Sequence, residues 1–265
     1  MVLWTFEHVI TVIPSIIASI IIVFILNKFI GKKAYEIRMI PLKVVAIIFL
    51  LIEIGKQIVS SIGSYDLYSI PLHFCSLVLF AVPVMAFYRG KHQDKMFSVG
   101  AAYLTSIFIF MIVYPDLIYS SDHVKNFFNG YLNFHTVFFH NLVLFTLILI
   151  FGLKLHEPKE KHNLSIFLGI FIFCIISASM AQILKTNFNN FYQCNIPPLE
   201  SVRVLVQDSI GYVGAQIFYI SVVIILDHGF VFMSYYAYRL VHYLQKLIIN
   251  KLNNNTKIEE NNNQN

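Results

Sequence analysis

A histidine and a cysteine stand two residues apart in Ile70-Pro71-Leu72-His73-Phe74-Cys75, inside a run apolar enough to cross a membrane. An ionisable or reactive side chain at that depth costs free energy, so it is expected to line a protein interior and to take part in function. A thiol and an imidazole within reach of each other are the minimal parts of covalent acyl transfer: the base takes the thiol proton and the thiolate attacks a carbonyl. His73 and Cys75 are roughly 200° apart around a helix, so they cannot share a face and the base must come from elsewhere. Another apolar run offers His135 and His140, which point roughly 140° apart, so one of them faces a given cavity. Asn133, Thr136 and His140 recur at helical spacing and side with His140. By helical rise Cys75 lies ~8 Å and His140 ~14 Å below the start of their runs, an offset that ordinary tilt absorbs. A lone cysteine in apolar surroundings is commonly a small inert hydrophobe, and Ser76 is a weaker nucleophile beside it.

The elements that must position these residues follow from composition. The 265 residues are 57% hydrophobic and 12% charged, with mean hydropathy +0.69, whereas a soluble domain carries about twice that share of charge. Apolar runs at 9–30, 39–60, 70–88, 96–114, 131–153, 164–183 and 209–227 each approach the ~20 residues of a membrane-crossing helix. The expected fold is all-α, a polytopic membrane protein with seven transmembrane helices in one bundle over 1–251. The Asn-rich stretch 252–265 is expected to be a disordered polar tail, because it has too little apolar surface to order itself. The first run has no basic region before it and no small-residue cleavage site, so it reads as an uncleaved span.

Charge sets the expected orientation. Lys28, Lys32, Lys33, Arg38, Arg89, Lys91, Lys95, Lys154, Lys159, Lys161, Arg239, Lys246, Lys251 and Lys257 fall in alternate connections and the tail, while the other connections hold Lys125, Lys185 and Arg203. The positive-inside rule then places the amino terminus outside and the carboxy terminus in the cytoplasm of a plasma-membrane protein. The net charge of +5 is thus a topology signal and argues for no nucleic acid. Cys75, Cys174 and Cys194 form no disulfide framework.

With that topology the polar residues collect in the outer halves of five spans. They are Glu53, Lys56, Gln57 and Ser60, then His73, Cys75 and Ser76, then Asn133, Thr136 and His140, then Ser179, Gln182 and Thr186, and lastly Asp208, Tyr212, Gln216 and Tyr219. Hydrogen bonding across helices explains any single Ser, Thr or Gln, but the set as a whole describes an outward-facing cavity. His73, Cys75, His135, His140 and Asp116 show no His-x-x-x-His or Cys-x-x-Cys spacing, so no metal is expected there.

Pro71-Leu72-His73-Phe74-Cys75-Ser76-Leu77, Tyr114-Pro115-Asp116, Phe138-Phe139-His140-Asn141-Leu142 and Asn187-Phe188 with Pro197-Pro198 occur in the order and spacing of the bacterial YwaF-like integral membrane proteins. Over most of its seven-span body the chain resembles the bacterial branch of the transmembrane protein 164 family. Animal members of that family are linked to acyl transfer on ether phospholipids and rely on a cysteine and a histidine. The resemblance implies Cys75 and His140 in those roles. The usual Gly-Pro-Trp-Pro-Trp-like entry to the last span is here Gly211-Tyr212-Val213-Gly214-Ala215.

The resulting expectation is a lipid acyltransferase or lipid hydrolase working in the outer half of the bilayer on a phospholipid or lysophospholipid. By position, Asn187 and Gln57 are candidate oxyanion donors, and Glu53 or Asp116 a group that orients a histidine. His73, His135, Tyr212 and Gln216 complete the candidate substrate-binding or orienting set. No nucleotide or metal cofactor is implied, and no protein partner is readable. The alternative is a non-enzymatic transporter or a lipid- or solute-binding protein using the same cavity, with Glu53 and Lys56 as its important residues.

Overall fold

Apolar runs at membrane depth satisfy their backbone groups internally, and each of the seven contains a helix in the computed structural model. The structure describes residues 4–194 and 197–262, without the side chains at 197, 249, 250 and 252–262. In chain order the helices are α1 (Phe6–Ile30), α2 (Tyr35–Arg38), α3 (Ile40–Ser60), α4 (Val78–Phe87), α5 (Gln93–Val113), α6 (Ser121–Lys125), α7 (Tyr131–Gly152), α8 (Asn163–Leu184) and α9 (Pro197–Asn262). No strand occurs among the described residues.

Five helices combine the length and the apolarity of a membrane span: Phe6–Ile30, Gln93–Val113, Tyr131–Gly152, Glu160–Leu184 and Pro198–Ile248. Of the seven expected, α3 has 21 residues but carries Lys43, Glu53 and Lys56, and the third run shrinks to the shorter apolar helix Phe74–Phe87. Burial ranks the helices by position. The most apolar windows of α5 and α7 are 61% buried and that of α1 is 17% buried, so α5 and α7 form the centre and α1 lies against the flank of α7.

The last helix departs most from expectation. Backbone continues as helix through Asp227, where the sequence suggests a boundary, and on to Asn262. Gln216 and Tyr219 bond the carbonyls of residues 190–193 at one end of the bundle. Tyr235 bonds Lys159, and the Tyr238 hydroxyl stands 3.4 Å from His156 Nδ1, at the other end. The 22 steps between Gln216 and Tyr238 rise roughly 33 Å, close to the ~30 Å of a hydrocarbon core. Asp227 therefore sits halfway along the span and does not flank it. The expected window 209–227 is displaced because a single aspartate reads as a helix end, whereas the helix continues past Tyr235 and Tyr238 at the basic end of the bundle. The stretch expected to be a disordered tail is helical to Asn262, since a helix nucleated upstream adds one hydrogen bond per residue. Residues 1–3 and 263–265 lie outside the described residues.

The basic connections gather at one end of the bundle. Arg38 Nη1 donates to Leu153 O (2.8 Å), Arg239 pairs with Glu160 (2.6 Å), Lys159 with Asp94 and Lys246 with Glu157.

Gly211 interrupts α9 with φ 78° and ψ 170°, a conformation essentially reserved for glycine. A Cβ built there meets nothing within 4 Å, so substitution acts through the backbone alone. Gly211→Ala is expected to lower stability by about 1–3 kcal/mol. Gly229→Ala, equally open but in regular helix, should be neutral or raise stability by up to about 1 kcal/mol. Thermal unfolding in detergent, followed by the fluorescence of the single tryptophan, Trp4, compares the two.

Candidate active site

Pro71 shapes the entrance to the site. It lacks a backbone donor and pushes Ile70 to extended backbone (φ −59°, ψ 131°), and His73 follows at φ −77°, ψ 156°. Helical geometry begins only at Phe74, as a 3₁₀ turn Phe74–Leu77 running into α4. The non-helical approach is tied down from both sides. Gln57 Nε2 donates to Ser69 O (2.8 Å), Ser60 bonds Ser69 (2.8 Å), and Ser177 Oγ donates to Leu72 O (2.7 Å). His73 Nε2–H donates to Tyr68 O (2.9 Å) and its ring packs on Tyr68 and Phe188.

Cys75 is thereby set in the first turn of a helix, half-buried.

Cys75 lines a cavity of about 780 Å³. Glu53 and Lys56 of α3, His73, a stripe along α7, the loop after α8 and Asp227 of α9 complete its polar wall, while Ile107, Phe110, Leu226 and Phe230 give it an apolar side. The α7 stripe is Leu132, His135, Thr136, Phe139 and His140, the i, i+3, i+4, i+7, i+8 pattern of one broad helix face. His135 and His140 occupy its two margins, so both line the cavity and the expectation that only one could is corrected. His73 and Cys75 also both line it, because the 200° argument assumes a helix through His73 and that residue is extended. Asn133 is outside the lining.

The two α7 histidines are committed differently. His140 Nδ1 lies 2.7 Å from Thr136 O. A carbonyl only accepts, so Nδ1 carries the proton and Nε2 presents a lone pair. That Nε2 is buried without a hydrogen-bond partner among the described residues, which is the arrangement of an unoccupied general base. His135 Nε2–H donates to Glu53 Oε2 (3.1 Å), and Glu53 also accepts from Lys56 (2.9 Å) and Gln57 (2.6 Å). Glu53 thus orients His135. Cys75 and His140 face the same cavity without bonding each other.

The remaining expected site residues divide. Asn187 lines the cavity, its Oδ1 accepting from the N–H groups of Tyr192 (3.1 Å) and Gln193 (2.9 Å), which leaves Nδ2 with a 3.4 Å contact to Asn190. Gln57 lies behind Glu53 with its amide spent on Glu53 and Ser69. Asp116 is exposed in the turn Pro115–Leu117 beyond α5 and outside the cavity. Tyr212 is exposed, and Gln216 is buried as a tie to the loop at 191–192. These last three drop out of the site: Asp116 lies past the end of α5, Tyr212 is exposed, and Gln216 is spent on the loop carbonyls.

Asp227 and Asn189 were not anticipated. Asn189 Nδ2 donates to Asp227 Oδ2 (2.7 Å), with Cys174 Sγ 3.8 Å from the same oxygen. Asn189 and Asn190 have φ of 48° and 60°, left-handed values that asparagine tolerates, so the run Asn187-Phe188-Asn189-Asn190 was the readable signal.

A second polar cluster closes the basic end. Asp94, His156 and His162 bring ligand-type atoms within 4.8 Å of one another. Both histidines lie in the connection between α7 and α8. Burial, opposed by Asp94, holds His156 down to about 4.

Bundle and cavity define an all-helical membrane protein with a cysteine, four histidines and three carboxylates around one chamber of about 780 Å³. The chain belongs to the TMEM164 family, whose family model matches residues 3–244. No curated protein and no solved structure matches it.

Glu53 holds three donors in a nearly closed setting, the Lys56 side chain being 13% exposed. Glu53→Ala leaves that ammonium unpaired and is expected to cost about 3–5 kcal/mol. The double variant Glu53→Leu/Lys56→Met should recover most of the loss, as thermal unfolding of the two proteins would register.

Proposed function

We propose that the protein is a membrane-embedded lipid acyltransferase or lipid hydrolase that works through Cys75 and His140. In this reading the chain crosses the plasma membrane seven times, with the amino terminus outside and the carboxy terminus in the cytoplasm, and the cavity opens in the outer half of the bilayer. The observation that carries the reading is a first-turn cysteine and a histidine with a free, buried lone pair on the wall of one cavity.

Binding of a phospholipid brings thiol and imidazole into proton-transfer distance, since such contacts are often long before substrate binds. His140 Nε2 accepts the Sγ proton and the thiolate attacks the ester carbonyl. Asn187 Nδ2 donates to the oxyanion. Collapse breaks the ester C–O bond, the leaving lysophospholipid oxygen takes the proton from His140, and an acyl-thioester remains on Cys75. A lysophospholipid hydroxyl or water then attacks the thioester, giving its proton to His140. The Cys75 thiolate leaves and is reprotonated by His140. The Thr136 carbonyl supports the imidazolium that forms in each half.

The competing reading is a transporter or a lipid- or solute-binding protein, favoured by the Glu53–Lys56–His135 network and by Asp227 halfway along the span. Purified protein in phospholipid vesicles decides between them. Acyl exchange or release is expected to fall by about a thousandfold or more in Cys75→Ala and in His140→Ala, and an acyl-ester probe should label wild type but not Cys75→Ala. Unchanged turnover in both variants sinks the enzyme reading, and solute uptake that survives both substitutions supports the rival.

A further inference from the structure

Away from the cavity, the basic end of the bundle holds the one group of histidine and carboxylate ligand atoms gathered closely enough for an ion among the described residues. Asp94 opens α5, and His156 and His162 come from the connection between α7 and α8. Asp94 Oδ1 stands 3.6 Å from His156 Nε2 and Oδ2 stands 3.8 Å from His162 Nε2. A cation held at about 2.0–2.2 Å by nitrogen and carboxylate oxygen has ligand edges of roughly 3–3.5 Å, so atoms that lie within 4.8 Å of one another must close by up to about 1.5 Å to hold it.

We propose that Asp94, His156 and His162 form a divalent transition-metal site. Two histidines and one carboxylate match zinc with an open coordination position, or the facial arrangement taken by iron and manganese.

A second shell is already in place. His162 Nδ1 lies 2.7 Å from Ser98 Oγ, and Ser98 in turn donates to Asp94 O (3.2 Å), so His162 Nδ1–H is the donor and Nε2 keeps its lone pair toward Asp94. The Tyr238 hydroxyl, 3.4 Å from His156 Nδ1, accepts from that nitrogen when Nε2 is the ligand. Tyr235 reaches the same Ser98 (3.3 Å). Backing the non-ligating nitrogen of each ring with a hydroxyl favours the metal-binding tautomer, and His156 Nε2 exchanges its contacts to Ser98 Oγ (3.0 Å) and Asp94 O (3.3 Å) for the ion on binding. Both rings are buried, which suits neutral ligands, while Asp94 is partly open. Asp94 and His156 also border a separate cavity of about 470 Å³, which supplies the space for an open coordination position.

Lys159 is the built-in competitor. Its ammonium sits against Asp94 Oδ2, where it neutralises the carboxylate when no ion is bound, and its side chain is 43% exposed. It can therefore swing into solvent when a dication replaces it. An exposed ion pair is worth little, so removing Lys159 should tighten metal binding by only about two- to five-fold.

The test uses the full chain in detergent, stripped with chelator and then dialysed against zinc or cobalt(II). Elemental analysis should return one bound ion per chain, and the cobalt form should show visible ligand-field absorption. Asp94→Asn and His162→Gln should lose the ion, Ser98→Ala should bind about ten- to a hundred-fold more weakly, and Lys159→Met two- to five-fold more tightly. Cys75→Ala should keep its one equivalent, which separates this site from the cavity thiol. The gain in Lys159→Met cannot come from misfolding, so it keeps the test sharp if a ligand variant fails to fold. Absence of stoichiometric metal from wild type, or equal binding in wild type and a folded Asp94→Asn/His162→Gln double variant, overturns the proposal.

Discussion

Pro71 has no N–H to give and forbids a helical Ile70, and the cavity follows from how the chain copes with that. At membrane depth every backbone polar group needs a protein partner or a water-lined surface. The non-helical approach to α4 finds its partners in side chains from two other helices, Gln57 and Ser60 of α3 and Ser177 of α8. The third apolar run then has only Phe74–Phe87 as helix, about 21 Å of rise. The shortfall leaves a chamber whose wall is completed by side chains and by the loop after α8. The same step that opens the chamber puts Cys75 in a first helical turn on its wall.

Within that chamber the two histidines of α7 have opposite commitments. His135 gives its Nε2 proton to a carboxylate that Lys56 and Gln57 also hold, so its ring is fixed in a charged network. His140 gives its Nδ1 proton to a main-chain carbonyl one turn earlier and keeps Nε2 bare. A buried nitrogen without a partner forfeits a hydrogen bond that water would supply, and proteins rarely accept that loss without a use for the lone pair. The asymmetry separates a ring that holds architecture from a ring available for proton transfer.

Much of the fold was legible because most of the seven runs are long and apolar. The ends of α1, α3, α5, α7 and α8 fall within three residues of the windows drawn from hydropathy. Errors arise where a helix is assumed to continue or to stop. Starting the third helix at Ile70 instead of Phe74 separated His73 from Cys75, and ending the last at Asp227 hid a carboxylate of the cavity wall. Angular reasoning on α7 was sound in degrees, yet a cavity that spans a broad face admits two residues 140° apart. Of the polar stripes, those of α3 and α7 reach the chamber. Gln182, Gln216 and Tyr219 hold the loop that carries Asn187 and Asn189. Asp94, His156 and His162 escaped notice because only the folded chain brings the start of α5 and the α7–α8 connection together.

The last helix mechanically relates the two polar regions. Its Tyr219 and Gln216 hold the loop at residues 190–193, its Asp227 holds Asn189, and its Tyr235 and Tyr238 meet the cluster at the basic end. The stretch between them is regular helix, stiff along its axis, and the glycine-only backbone at Gly211 lies on the far side of the loop contacts. Rotation at Gly211 therefore moves Pro197–Ile210 without disturbing Gln216 or anything beyond it. Opening the chamber by moving the loop, by contrast, requires breaking the Gln216, Tyr219 and Asn189 bonds together, because all three converge on one short turn.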